Sequence, residues 1–97
     1  MTVFHALGHQ PLYYFWIENN LGVALGDLGR DKEAVRAFEE ALSHYPGYAD
    51  AHYNLADLLD HLGDGMAARK HWQGYLSQDQ QSQWANRARE RLTAIGG

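Results

Sequence analysis

The sequence contains no cysteine, only two prolines, and eight Lys and Arg residues against twelve Asp and Glu. Each shortage excludes something. Without cysteine there is no disulfide framework and no Cys-based zinc or redox chemistry, which fits a reducing compartment. The few basic residues and the formal charge of −4 argue against a nucleic-acid partner, because phosphate binding needs clustered Lys and Arg. No apolar run approaches the roughly 20 residues of a membrane helix. The short stretch Leu12–Ile17 also lacks the basic flank of a signal peptide. The expectation is a soluble, cytoplasmic chain with no membrane partner.

Catalytic signatures are missing as well. There is no G-x-S-x-G, no phosphate loop, no Cys nucleophile and no paired carboxylate in a recognisable setting. Asp57 and Asp60 lie one turn apart, an ordinary spacing on a helix surface. No catalytic residue, cofactor or enzymatic activity is expected. The six histidines do not suggest a metal site. His52 and His61 miss the i, i+4 spacing of zinc ligands. His44, His52 and His71 fall on different helices, and His5 and His9 lie in a weakly patterned N-terminal arm.

What is present is a packable core and a repeat. Hydrophobic content of 45% and aromatic content of 12% suit one folded domain. Sliding the sequence by 34 residues pairs Tyr14 with Tyr48, Asn20 with Asn54, Leu21 with Leu55 and Leu25 with Leu59. It also pairs Leu28 with Leu62, Gly29 with Gly63, Ala34 with Ala68, Leu42 with Leu76, and Phe38 with Trp72. Within each unit the period is helical: Ile17, Leu21, Leu25 and Leu28 share one face. Tyr48, Ala51, Leu55, Leu58, Leu59 and Leu62 do the same in the second unit.

The helix breakers agree. Gly29 and Gly63 follow helix ends, where a positive φ is wanted. Asp31 and Asp64 can accept from free N–H groups at the next helix start. Pro46-Gly47 opens a linker. Connections of two to four residues force antiparallel neighbours. Ser82–Ile95 forms a fifth helix with an apolar stripe of Trp84, Ala85, Ala88, Leu92 and Ile95. Its polar outer face suits the end of a stack. The organisation expected is a loose arm over 1–10, helical units over 11–46 and 47–80, and a capping helix over 81–97.

At these residues the sequence resembles the tetratricopeptide repeat family, whose 34-residue pattern is W-x2-L-G-x2-Y, A-x3-F and P. Unit one offers Leu21-Gly22, Leu25, Ala34, Phe38, Ala41 and Pro46; unit two offers Leu55-Ala56, Leu59, Ala68 and Trp72. Glu18 and His52 stand in the Trp places, Tyr75 replaces a small residue, and Gln80 replaces the closing Pro. The resemblance implies an all-α fold. Two helix-turn-helix units and a C-terminal capping helix would form a right-handed α-solenoid stack. Gly22, Ala34, Ala56 and Ala68 would sit where helices cross closely.

The resemblance also implies a concave groove lined by the first helix of each unit. Unit one would present Trp16, Asn19, Val23, Gly26 and Asp27; unit two would present Asp50, Tyr53, Asp57, Asp60 and His61. No Lys or Arg occurs among them, so the carboxylate clamp of one family subclass is not expected. Asp50, Asp57 and Asp60 instead form a negative strip suited to a basic or amphipathic peptide. Arg87, Arg89 and Arg91 alternate around their helix and read as a solvated face. Four adjacent aromatics, Tyr13, Tyr14, Phe15 and Trp16, cannot all be buried against one neighbour. They would meet Val3, Phe4 and Leu7 of the arm, or a second subunit. Two functions follow: a protein-interaction module holding a peptide or helix, or a self-association element, including an accessory domain of a bacterial regulator.

Overall fold

The structure, a computed structural model, describes residues 14–96. The arm at 1–10, with Val3, Phe4, Leu7, His5 and His9, lies outside the described residues, as does Tyr13. Five helices make up the described chain: α1 (Tyr14–Asp27), α2 (Asp31–His44), α3 (Ala49–His61), α4 (Gly65–Leu76) and α5 (Gln83–Ile95). No strand occurs among the described residues. Each helix packs on the next in chain order, and α1 also touches α3. The result is a helical repeat stack, α1/α2 then α3/α4, closed by α5.

The two units turn alike. Gly29 and Gly63 take φ of 81° and 87°, left-handed values that a side chain would strain. The Arg30 N–H donates to the Leu25 carbonyl and the Asp64 N–H to the Leu59 carbonyl, both at 2.9 Å. The helix starts differ, however. Asp64 caps α4 as expected, accepting from the Ala67 N–H at 3.3 Å. Asp31 does not cap α2: it is the first helical residue, and the cap position falls on Arg30, whose side chain makes no cap bond. Ser82 caps α5 by accepting from the Trp84 and Ala85 N–H groups.

The core runs through Ala34, Phe38, Leu55, Ala56, Leu59, Ala68, Trp72, Tyr75, Ala85 and Ala88. Its small residues sit at crossings, as the repeat pattern requires. Ala34, Ala56 and Ala68 are fully buried. A Cβ at Gly22 would lie 2.5 Å from Phe38 Cε1, so only glycine lets α1 and α2 approach this closely.

One expectation about α1 is corrected. Leu21 is 50% exposed and Leu28 71%, and Ile17 is exposed too; the buried residues of the helix are Asn19 and Gly22. The cause is position in the stack. Leu55, the repeat partner of Leu21, is fully buried because α3 is flanked by α2 and α4. Among the described residues α1 has neighbours on one side only.

Candidate functional site

Side chains of α1, α3 and α5 share one face of the stack, where the resemblance places the concave groove. Among the described residues its main cleft, of about 620 Å³, lies between α1 and α3. Glycines form its α1 side: Gly22 over Phe38, then Gly26 and Gly29, with Val23 and Asp27 between them. Asn54, Asp57, Leu58 and His61 form the α3 side, Asp31 closes one end, and Arg87 reaches in from α5. The lining therefore carries three carboxylates against one guanidinium. Asp27 and Asp31 take part in no ion pair among the described residues.

The groove residues expected from the sequence do not form one open strip. Trp16 and Val23 are exposed, and Asp27 and His61 line the main cleft. Asn19 is buried and accepts from Asn54 Nδ2 at 3.2 Å, so its amide ties α1 to α3. Asp50 and Tyr53 lie farther along α3 in a second recess.

Asp57 and Asp60 are not bare. Arg87 Nη2 donates to Asp57 Oδ1 at 2.9 Å. Arg91 donates twice to Asp60, from Nε to Oδ2 at 2.6 Å and from Nη2 to Oδ1 at 2.8 Å. The Arg91 hydrogen bond, helped by the Trp72 indole and nearby positive charge, outweighs burial and holds the Asp60 carboxyl below its ordinary pKa. The reading of Arg87 and Arg91 as dispersed is thereby corrected. They are i, i+4 neighbours on the face of α5 that meets α3. Arg89 points elsewhere, to Asn86 and the Gln80 carbonyl.

Aromatic rings complete the face. Tyr53 meets Trp72, Tyr75 and Trp84 edge-on, at centroid distances of 5.0, 5.2 and 5.6 Å. The Arg87 guanidinium lies 6.0 Å from the Tyr53 ring centre and 5.7 Å from that of Trp72, while Nη1 donates to the Tyr53 hydroxyl. Tyr53, Tyr75 and Trp84 join Asp50 and Asn54 around a recess of about 340 Å³. Sequence reasoning missed Tyr75, Trp84 and Arg87. A search for side chains on α5 in register with α3 would have found Arg87 and Arg91 by their i, i+4 spacing.

Two rings of the four-aromatic cluster have ring partners among the described residues. Phe15 packs edge-on against Tyr45 and Tyr48, at 4.9 and 4.6 Å, and Tyr14 against His44 at 5.5 Å. These two rings pack on the end of α2 and on the link between α2 and α3. Trp16 is 57% exposed.

Two histidine sites stand apart from the groove. Glu18, Glu40 and His44 place one ligand atom each within 4.8 Å of one another, an arrangement that could hold a cation at the surface. His44 already pairs with Glu18 at 2.7 Å. His52 and His71 meet Nδ1 to Nδ1 at 3.1 Å. The Pro46 carbonyl can only accept, so His52 Nε2 at 2.8 Å carries the proton, and His71 Nδ1–H donates to His52 Nδ1. Burial, then the neighbouring His52 and Lys70, lowers the His71 pKa to about 4.

A family model described as tetratricopeptide repeat matches residues 27–92. The matched stretch spans α2 to α4 and most of α5.

Proposed function

The chain belongs to the tetratricopeptide repeat family, and on that premise we propose that it binds a basic or amphipathic peptide segment along the concave face of α1, α3 and α5. Repeats of this family are generally protein–protein interaction modules. The observation that carries the finer reading is the charge of the main cleft. Asp57 is offset by Arg87, but Asp27 and Asp31 face the same space without an ion-pair partner among the described residues. Gly26, where a Cβ would meet only Ala34 Cβ at 3.9 Å, lets a ligand backbone approach closely. A stacked helical frame orders these groups in advance, so little entropy is lost on binding.

Calorimetry with a lysine-rich amphipathic peptide tests the reading. Asp27→Asn with Asp31→Asn is expected to weaken binding by about three- to tenfold, the scale of two exposed charges. Raised salt should do likewise. Equal affinity for wild type and double variant would remove the reading.

A second reading, self-association, is favoured by one observation. Ile17, Leu21 and Ala24 on α1, and Leu28 just past its end, stand exposed at spacings of four, three and four, the pattern of a helix–helix seam. The far end of the stack, the outer face of α5, is polar, so head-to-tail stacking is disfavoured and a two-fold pair through α1 is favoured. Light scattering tests it: a dimer mass that Leu21→Glu with Leu28→Glu abolishes supports the seam. A monomer mass at high micromolar concentration removes it.

A further inference from the structure

We propose that Tyr53, Tyr75, Trp84 and Asp50 form a cage for an alkylammonium cation, either a lysine side chain of a bound segment or a free quaternary amine. The inference rests on reading the concave face as the binding face, and it names the chemistry of one anchor on it.

The walls are set by the packing of α3, α4 and α5. Tyr53 is half-buried on α3, and the Tyr75 and Trp84 rings stand at 71° and 82° to it. Tyr75 is buried, so the ring surface open to a rounded cation comes from Tyr53 and the exposed Trp84, set at a steep angle to each other. The recess is about 340 Å³, room for a trimethylammonium head. Asp50 supplies the opposite charge: it lines the recess, is exposed, and has no ion-pair partner among the described residues. Asp79 adds to it from behind, accepting a hydrogen bond from the Tyr75 hydroxyl. The negative field is felt there. Burial first, then Asp79 and Asp50, raise the Tyr75 phenol above its ordinary pKa.

Two further observations fit. The same Tyr53 ring already lies beside a cation, Arg87, which is matched by Asp57 and does not line the recess. Asn54 lines both the recess and the main cleft, so a segment lying in the cleft passes the cage.

The test is a proton NMR titration with choline, following the Trp84 indole and the Tyr53 ring. Its neutral isostere 3,3-dimethylbutan-1-ol is the control. Choline is expected to give a saturable shift at millimolar concentration, with the isostere at least about tenfold weaker. Asp50→Asn and Trp84→Ala, both at exposed positions, should abolish the shift, and Trp84→Phe should retain part of it. Equal binding of choline and the isostere, no saturable shift, or shifts that survive Asp50→Asn and Trp84→Ala would each overturn the proposal. A lysine-bearing peptide that competes with choline, where its norleucine counterpart does not, assigns the cage to a bound segment. Choline binding without such competition assigns it to a free amine. Because choline needs no peptide, the two readings fail separately: a peptide that binds through Asp27 and Asp31 while choline does not leaves the groove standing and removes the cage.

Discussion

Arg91 grips Asp60 from 31 positions away in sequence, at 2.6 and 2.8 Å, and ties α5 to α3. The Trp72 indole donates to the same carboxylate at 3.3 Å, so α4 joins the arrangement. One acidic side chain thus links three helices and orients the wall of the groove.

Asp60→Asn is expected to loosen α5. The folded chain holds this carboxyl below its ordinary pKa of 3.8, so the unfolded chain takes up the proton first on acidification. The stabilisation is complete above the ordinary carboxylate pKa and is lost as pH falls through the lower folded value. Thermal melts should therefore show wild type above Asp60→Asn at neutral pH, the gap closing in strongly acidic buffer. A gap that is independent of pH would contradict this assignment.

His71 acts over a different pH window. Its pKa is lowered from 6.5 to about 4, so the folded chain binds the proton less well than the unfolded chain. Stability should fall as pH drops from 6.5 towards about 4 and then level off. His71 is partly exposed, and solvent screening reduces the effect to roughly 1–2 kcal/mol. His52 and Lys70, the groups that bear on it, must remain in place. Urea unfolding of His71→Gln across this window should lack the slope.

Two glycines of α1 should respond with opposite signs. At Gly22 a Cβ meets the buried Phe38 ring at 2.5 Å, and overpacking outweighs the gain in helix propensity. Gly22→Ala should cost about 1–2 kcal/mol. At Gly26 the nearest atom, Ala34 Cβ, is 3.9 Å away. Gly26→Ala should stabilise by about 0.5 kcal/mol. Chemical denaturation of both variants reads the difference directly.

Repeat-equivalent leucines should differ in the same way. Leu55→Ala removes a fully buried side chain and should cost about 2–5 kcal/mol. Leu21→Ala, at the matching position but half exposed, should fall within about 1 kcal/mol of wild type. Comparable losses would show that the α1 face is covered in solution.

Much of the fold was legible in the sequence because its signals are local. The 34-residue offset, the two Leu-Gly turns and the small residues at positions 22, 34, 56 and 68 act through neighbours within one or two helices. The site was less legible. Asp57 and Asp60 read as bare acids because their partners lie 30 and 31 residues away. Charge neutralisation across helices leaves no mark at the acidic positions themselves. Tyr14 and Phe15 read as surplus aromatics because their partners, His44, Tyr45 and Tyr48, sit about 30 residues on, at the end of α2 and in its link to α3.

The sequence by itself determined that the chain is helical, that it repeats, where it turns, and which small residues must sit at the crossings. Periodicity and glycine chemistry act over a few residues and need no partner. Only the tertiary structure decided which leucines are buried, since Leu21 and Leu55 share a repeat position but not a set of neighbours. Tertiary structure also decided the charge of the groove, since helix-to-helix docking brings Arg87 and Arg91 onto α3. Burial and electrostatics are sums over everything nearby, and what is nearby is set by the stack.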